Sequence, residues 1–140
     1  MAITVTPHLN FRGNAREAIE FYHSVFGGSL LTSTHEETGT ELANPGEAPW
    51  LAFGEVTTED GFHLAVYDVP TPLPYDPGTQ PYYLMVSSGD PKEITRYWEK
   101  LRVGASVQDD LGPKPWSSLY GLLVDRFGVM WALNLDMPQD

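Results

Sequence analysis

Cysteine is absent from this 140-residue chain. Disulfides, thiolate nucleophiles and thiolate metal sites are therefore excluded, and a reducing compartment is compatible with the composition. Basic residues are scarce: 8 Lys and Arg stand against 19 Asp and Glu, for a net charge of −11. None of the bases falls between Arg16 and Lys92. Such a chain repels phosphate backbones and anionic lipid, so neither nucleic acid nor a membrane is expected as a partner. No apolar run reaches the ~18 residues of a spanning helix. The opening MAITVTPHLNF lacks a basic region followed by a long apolar stretch, so no signal peptide is expected and the expected location is cytoplasmic. A P-loop, a G-x-G-x-x-G and a nucleophile elbow are all missing, which removes support for nucleotide binding and for serine-type catalysis.

What is present suffices for a core: 41% of residues are hydrophobic and 12% aromatic. NAREAIEFYHSVFGG reads as a helix. Asn14 is a suitable N-cap, Glu17 completes a capping box, and Gly27-Gly28 supplies the stop. Ala15, Ala18, Ile19, Tyr22, Val25 and Phe26 fall on one face at helical spacing. DPKEITRYWEKLRVG repeats this grammar, with Asp90 as cap, Pro91 at the first helical position, Glu93 completing the box and Gly104 at the end. Asn14 to Asp90 and Gly28 to Gly104 are each separated by 76 residues, the mark of an internal duplication.

Strand signals surround both helices. Alternation over 3–11 predicts a first strand with Leu9 and Phe11 turned to the helices, and His8 and Asn10 on the other side. Further strands are expected at Ser29–His35, Trp50–Val56, Phe62–Val69, Tyr82–Ser87, Ala105–Asp109, Leu119–Val124 and Val129–Leu135. The chain then reads as one βαβββ module over residues 1–69, a proline-rich linker over 70–81, and a second module over 82–140. Each module closes on a glycine hairpin, Thr58-Glu59-Asp60-Gly61 and Asp125-Arg126-Phe127-Gly128. Asp125 is expected to cap its turn.

Two stretches carry a family likeness: HLNFRGNAREAIEFYHSVFGGSL (8–30) and YGLLVDRFGVMWALNL (120–135). They resemble the opening and closing motifs of the vicinal oxygen chelate superfamily, the glyoxalase, bleomycin-resistance and extradiol-dioxygenase group, and most closely its PhnB-like branch. The resemblance implies an α+β fold in which two tandem βαβββ modules form a cupped eight-stranded mixed sheet with helices on the outer face. It also implies a ligand in the hollow and a homodimer.

Metal-dependent relatives place a His or Glu ligand on the first and last strand of each module. Carried onto this chain, the positions fall on Thr6 or Pro7 with His8 beside them, near Ala65 with His63 two residues earlier, on Tyr82 or Tyr83, and on Ala132 with Asn134 beyond it. Alanine donates no electron pair, and two histidines fall short of the usual four-ligand shell. No cofactor is therefore expected, and a divalent-metal lyase or dioxygenase is the least favoured of three readings. The other two are a glyoxalase-like enzyme of unassigned substrate and a non-catalytic protein that sequesters a small molecule. PhnB-like proteins often carry a ubiquinone methyltransferase label, yet this chain lacks a glycine-rich loop for S-adenosylmethionine. The residues expected to meet a ligand are His8, Asn10, His63, Tyr67, Tyr82, Trp116 and Asn134. The plainer account of each is a hydrogen-bonded or packing role. GPKPWSS (112–118) is expected to form a stiff loop at the rim. The acidic pairs Glu36-Glu37 and Glu59-Asp60 read as solvated loops.

Overall fold

Packing against helices is what organises the strands. The computed structural model describes residues 3–136, and the chain divides into two compact units, Met1–Pro77 and Gly78–Asp140. The boundary lies within the 70–81 segment read as the linker. The first unit runs β1 (His8–Phe11), α1 (Ala15–Phe26), β2 (Ser29–Thr34), α2 (His35–Thr38), a 3-10 turn (Pro45–Glu47), β3 (Leu51–Thr57) and β4 (His63–Asp68). The second runs β5 (Leu84–Ser88), α3 (Pro91–Leu101), β6 (Ser106–Lys114), β7 (Ser117–Val124) and β8 (Met130–Leu135). The sheet orders are β1-β4-β3-β2 and β5-β8-β7-β6. In both, the first and last strands pair in parallel and the other neighbours antiparallel. The class is α+β and the topology is the doubled βαβββ arrangement.

Each helix seals one face of its own sheet. A Cβ placed on Gly54 of β3 would meet Val66 of β4 and Ile19 of α1, which fixes that side as the α1 face. Leu9, Phe11, Val56, Leu64 and Val66 lie buried there with Ala18, Ile19 and Tyr22. In the second unit a Cβ on Gly121 of β7 would come within 2.7 Å of the Trp98 ring of α3. Leu123, Trp131 and Leu133 are buried on that side with Ile94 and Leu101. Burial of such side chains stabilises each unit by roughly 1.5–3 kcal/mol per residue before the entropy cost is counted.

The two helices start differently. Asn14 makes no side-chain cap bond to α1. Instead the buried Asp68 at the end of β4 accepts from Gly13 N (2.7 Å) and Ala15 N (3.1 Å), so the cap comes from across the unit. Asp90 does cap α3 locally, accepting from Lys92 N, while Glu93 turns to Ser88 and Tyr97 rather than back to the cap.

The hairpins form as expected: Asp125 N donates to Val129 O and Gly128 N to Asp125 O, with the same pattern at Thr58, Phe62 and Gly61. Thr58 and Asp125 are 67 residues apart, against 76 for the helices. The difference arises between β2 and β3, where the first unit inserts α2 and the 3-10 turn, while β6 and β7 meet through Pro115-Trp116 alone.

Several boundaries move for identifiable reasons. The first strand shortens to 8–11: the residue before it is Pro7, which accepts from Ala65 N through its carbonyl but has no N–H to donate to the ladder. β5 starts at Leu84, leaving Tyr82 off the strand. The position that would pair with Tyr82 is Val129, whose backbone is already engaged at both ends by Asp125. Glu36-Glu37 is not a loop: it lies in α2, where Thr34 and Glu37 form a reciprocal capping box. GPKPWSS is no loop either. β6 extends to Lys114 and β7 resumes at Ser117, so only a two-residue turn remains.

Candidate functional site

With one face of each sheet closed by its helix, the remaining face carries the side chains free for chemistry. In the first unit these are His8 and Asn10 on β1, His63, Ala65 and Tyr67 on β4, and Glu55 on β3. Cross-strand register sets His8 opposite Ala65 and Asn10 opposite Tyr67, with Glu55 on the far side of Ala65. His8 Nδ1 donates to the Thr6 carbonyl at 2.9 Å, which fixes the tautomer and leaves Nε2 as the acceptor. His63 Nδ1 stands 3.9 Å from Glu55 Oε1, an ion pair when the ring is protonated. Tyr67 meets the ring of His35 edge-on, with centroids 5.7 Å apart. Four of the seven expected ligand-contacting residues thus share one sheet face.

Behind that face lies a polar layer that composition does not announce. His35, Glu47 and Asp68 are all buried. Asp68 Oδ2 accepts from Leu51 N, and its carbonyl accepts from His35 Nε2 at 2.8 Å. The carboxylate of Glu47 accepts from the amide and the hydroxyl of Thr71. Arg12 donates to the carbonyls of Val69 and Leu73 and covers the Tyr75 ring. These groups tie residues 70–75 to the first unit and are mutually satisfied, so they build the site rather than act in it.

The corresponding face of the second unit mixes apolar and polar side chains, with Ser87 of β5 beside Asn134. It holds Met85 on β5, Tyr120 and Leu122 on β7, and Ala132 and Asn134 on β8. Tyr120 is opposite Asn134, and Leu122 is opposite Ala132. Trp116, 63% exposed in the β6–β7 turn, sets its ring edge-on to Tyr120 with centroids 5.4 Å apart. Lys114 Nζ pairs with Asp109 Oδ1 at 2.5 Å. Burial, then Tyr83, then Asp109 push the Tyr120 phenol above its ordinary value. Tyr82 is 59% exposed ahead of β5. Trp116 and Asn134 therefore belong to one neighbourhood with Tyr120, a residue that the alternation of β7 makes legible once its neighbour Gly121 is assigned to the helix side.

The metal positions can now be tested on the donor set. The register gives Ala65 the partner His8, in place of the expected Thr6 or Pro7, and Ala132 the partner Met85, in place of the expected Tyr82 or Tyr83. Only His8 of these four offers a nitrogen, and among the described residues no group of three or more His, Asp or Glu converges on a point that would hold an ion. A resident metal does not fit these residues.

The sequence profile of the family described as 3-demethylubiquinone-9 3-methyltransferase matches residues 3–134. The chain belongs to this PhnB-like family. Among solved structures it is similar to protein PA1353 from Pseudomonas aeruginosa, at 28% identity and a TM-score of 0.82 over 98% of this chain and 100% of that one. It is also similar to a putative 3-demethylubiquinone-9 3-methyltransferase, PhnB protein, from Bacillus cereus, at 27% identity and a TM-score of 0.72 over 96% and 100% of the chains. A glyoxalase-related enzyme from Fulvimarina pelagi shares the fold at 16% identity and a TM-score of 0.63, over 97% of this chain and 89% of that one. The PhnB-like chain thus has the vicinal oxygen chelate fold. The methyl-donor cofactor named by implication in the family description finds no cradle at the first strand–helix turn. There the Gly13 and Ala15 amides are taken by Asp68, and a Cβ on Gly13 would touch the Trp50 ring at 3.2 Å.

Proposed function

We propose that this PhnB-like protein binds a small organic molecule against the sheet faces its helices leave uncovered, and that it does so without a resident metal. One observation carries the reading: both faces present a tyrosine and an asparagine as cross-strand partners, Tyr67 with Asn10 and Tyr120 with Asn134. Aromatic surface with a few amides is what a pocket for a flat, weakly polar molecule requires. His8, with its acceptor Nε2, and His63 beside Glu55 supply groups able to move a proton on a bound ligand. The glyoxalase-related relative favours transformation of the ligand; the incomplete donor set among the described residues favours sequestration. The protein is read as a homodimer of the cytoplasm, for which light scattering should give twice the chain mass.

Equilibrium dialysis against a panel of small aromatic compounds, followed by mass spectrometry of the retained fraction, tests the reading. Retention of an unaltered compound, with His8→Ala and His63→Ala still binding, supports sequestration. Conversion that disappears in those variants supports an enzyme. If the panel passes through unretained, small-molecule binding is wrong.

A further inference from the structure

Two departures from the duplication carry charge of opposite sign. The first is on α3. Lys92, Arg96 and Lys100 recur every fourth residue and are all exposed, on the side away from the buried Ile94, Trp98 and Leu101. At the 76-residue offset the same row of α1 reads Arg16, Glu20 and Ser24, so the uniform sign belongs to α3. Helix stability does not account for it. Like charges four residues apart repel, and Lys92 stands in the N-terminal turn, where the helix dipole disfavours a cation. The flanking acids are engaged elsewhere: Glu93 with Ser88 and Tyr97, and Glu99 with Arg102 at 3.5 Å. Among the described residues no carboxylate lies within ion-pair distance of Lys92 or Arg96, and the Arg96 guanidinium covers the Tyr97 ring instead.

The second departure is the segment between β2 and β3 that holds α2 and the 3-10 turn, which the second unit lacks. It brings Glu36, Glu37 and Glu41 to the surface and contains no Lys or Arg. Glu37 accepts from the Thr34 amide. Among the described residues Glu36 and Glu41 have no cation within ion-pair distance. From these two departures the geometry points to an interface between copies of this chain, in which α3 of one copy docks through Lys92 and Arg96 on Glu36 and Glu41 of the other. Two-fold pairing makes the contact twice. Charge complementarity selects this occupant. Copies that each carry −11 repel over most of their surface, so they meet best where a basic row faces an acidic segment. A nucleic acid fits the row poorly, because three bases neutralise few phosphates and the acids of the chain repel the rest. The surface presupposes the homodimer read above and gives that dimer its contact.

Charge exchange between two variants tests it, read by sedimentation equilibrium at fixed ionic strength. Lys92→Glu with Arg96→Glu should loosen the dimer by at least roughly tenfold, as expected for four exposed ion pairs, and Glu36→Lys with Glu41→Lys should do the same. Mixed one to one, the two variants should pair with each other at wild-type strength, since each reversed patch then meets its reversed complement. Thermal melting of each variant establishes that it is folded. A dimer that neither reversal loosens overturns this interface and leaves the homodimer reading standing. Loosening by both reversals with no recovery on mixing shows that the two patches do not face each other, and rejects the interface alone. A wild-type chain that stays monomeric rejects the homodimer reading and this surface with it. A short DNA duplex that binds the wild type and is lost in the α3 variant assigns the row to a polyanion and overturns the contact between copies.

Discussion

Asp68 joins four parts of the first unit through one side chain and its own carbonyl. Its carboxylate accepts from Gly13, Ala15 and Leu51, and its carbonyl from His35. Replacing it by alanine strands three amides in a buried layer, each at about 1–3 kcal/mol, so Asp68→Ala should lower the urea midpoint steeply or prevent folding. Asp68→Asn keeps an acceptor and should cost less; equal losses would show that the acceptor geometry is unimportant. Tyr120 gives a second prediction. Its folded-state value lies above the ordinary one, so its contribution to stability is whole below the titration of an unfolded tyrosine and is lost as pH rises through the folded value. Ultraviolet difference titration should show one late-ionising phenol that Tyr120→Phe removes. At this scale the sequence was half legible. His8 and Asn10 followed from alternation alone. Asp68 did not, because a carboxylate in a strand looks the same whether it faces water or caps a helix 53 residues away in sequence.

Among the elements, α1 ends where Gly27 and Gly28 take positive φ, but the two glycines do so against different surroundings. A Cβ on Gly28 would lie 2.2 Å from the Thr57 carbonyl, whereas Gly27 has nothing within 4 Å. Gly27→Ala should therefore cost about 1–3 kcal/mol, the penalty for a side chain at φ 74° and ψ −154°, a region essentially reserved for glycine, and Gly28→Ala more, as it must also push β2 from β3. Chemical denaturation of the two variants checks the order. The short helix α2 depends on its capping box. Backbone and then hydroxyl bonding to Thr34 hold the Glu37 carboxyl below its ordinary value. Its support is present above the titration of an unfolded glutamate and fades as pH falls through the folded value. Protection of the Thr34 amide, taken relative to its intrinsic exchange rate at each pH, should fall in acid, and Thr34→Ala should lower the protection of that position at neutral pH. Neither α2 nor its box was legible beforehand, since four residues are too few for periodicity to register; α1 and α3 were, because their apolar stripes repeat over three turns.

For the whole chain, charge is divided unequally. Residues 1–77 hold eleven acids and two bases, while 78–140 hold eight and six. Self-repulsion should thus concentrate in the first unit. Salt that screens it should raise the melting temperature between low and physiological ionic strength. A midpoint that stays fixed as sodium chloride is added would mean that local pairing already offsets the excess. None of the described helices is long and apolar enough to cross a membrane.

Composition, periodicity and spacing by themselves determined the modules, both long helices and both glycine hairpins. These depend on interactions between residues close in sequence, and such interactions leave a period or a turn signature. Tertiary structure alone decided that Asp68 caps α1, that Pro70–Tyr75 belongs with the first unit, and that Tyr120 stands between Gly112 and Asn134. Each of those depends on which strand lies next to which, and in what register. A single row of letters cannot carry register, because a shift of one residue turns every side chain to the opposite face.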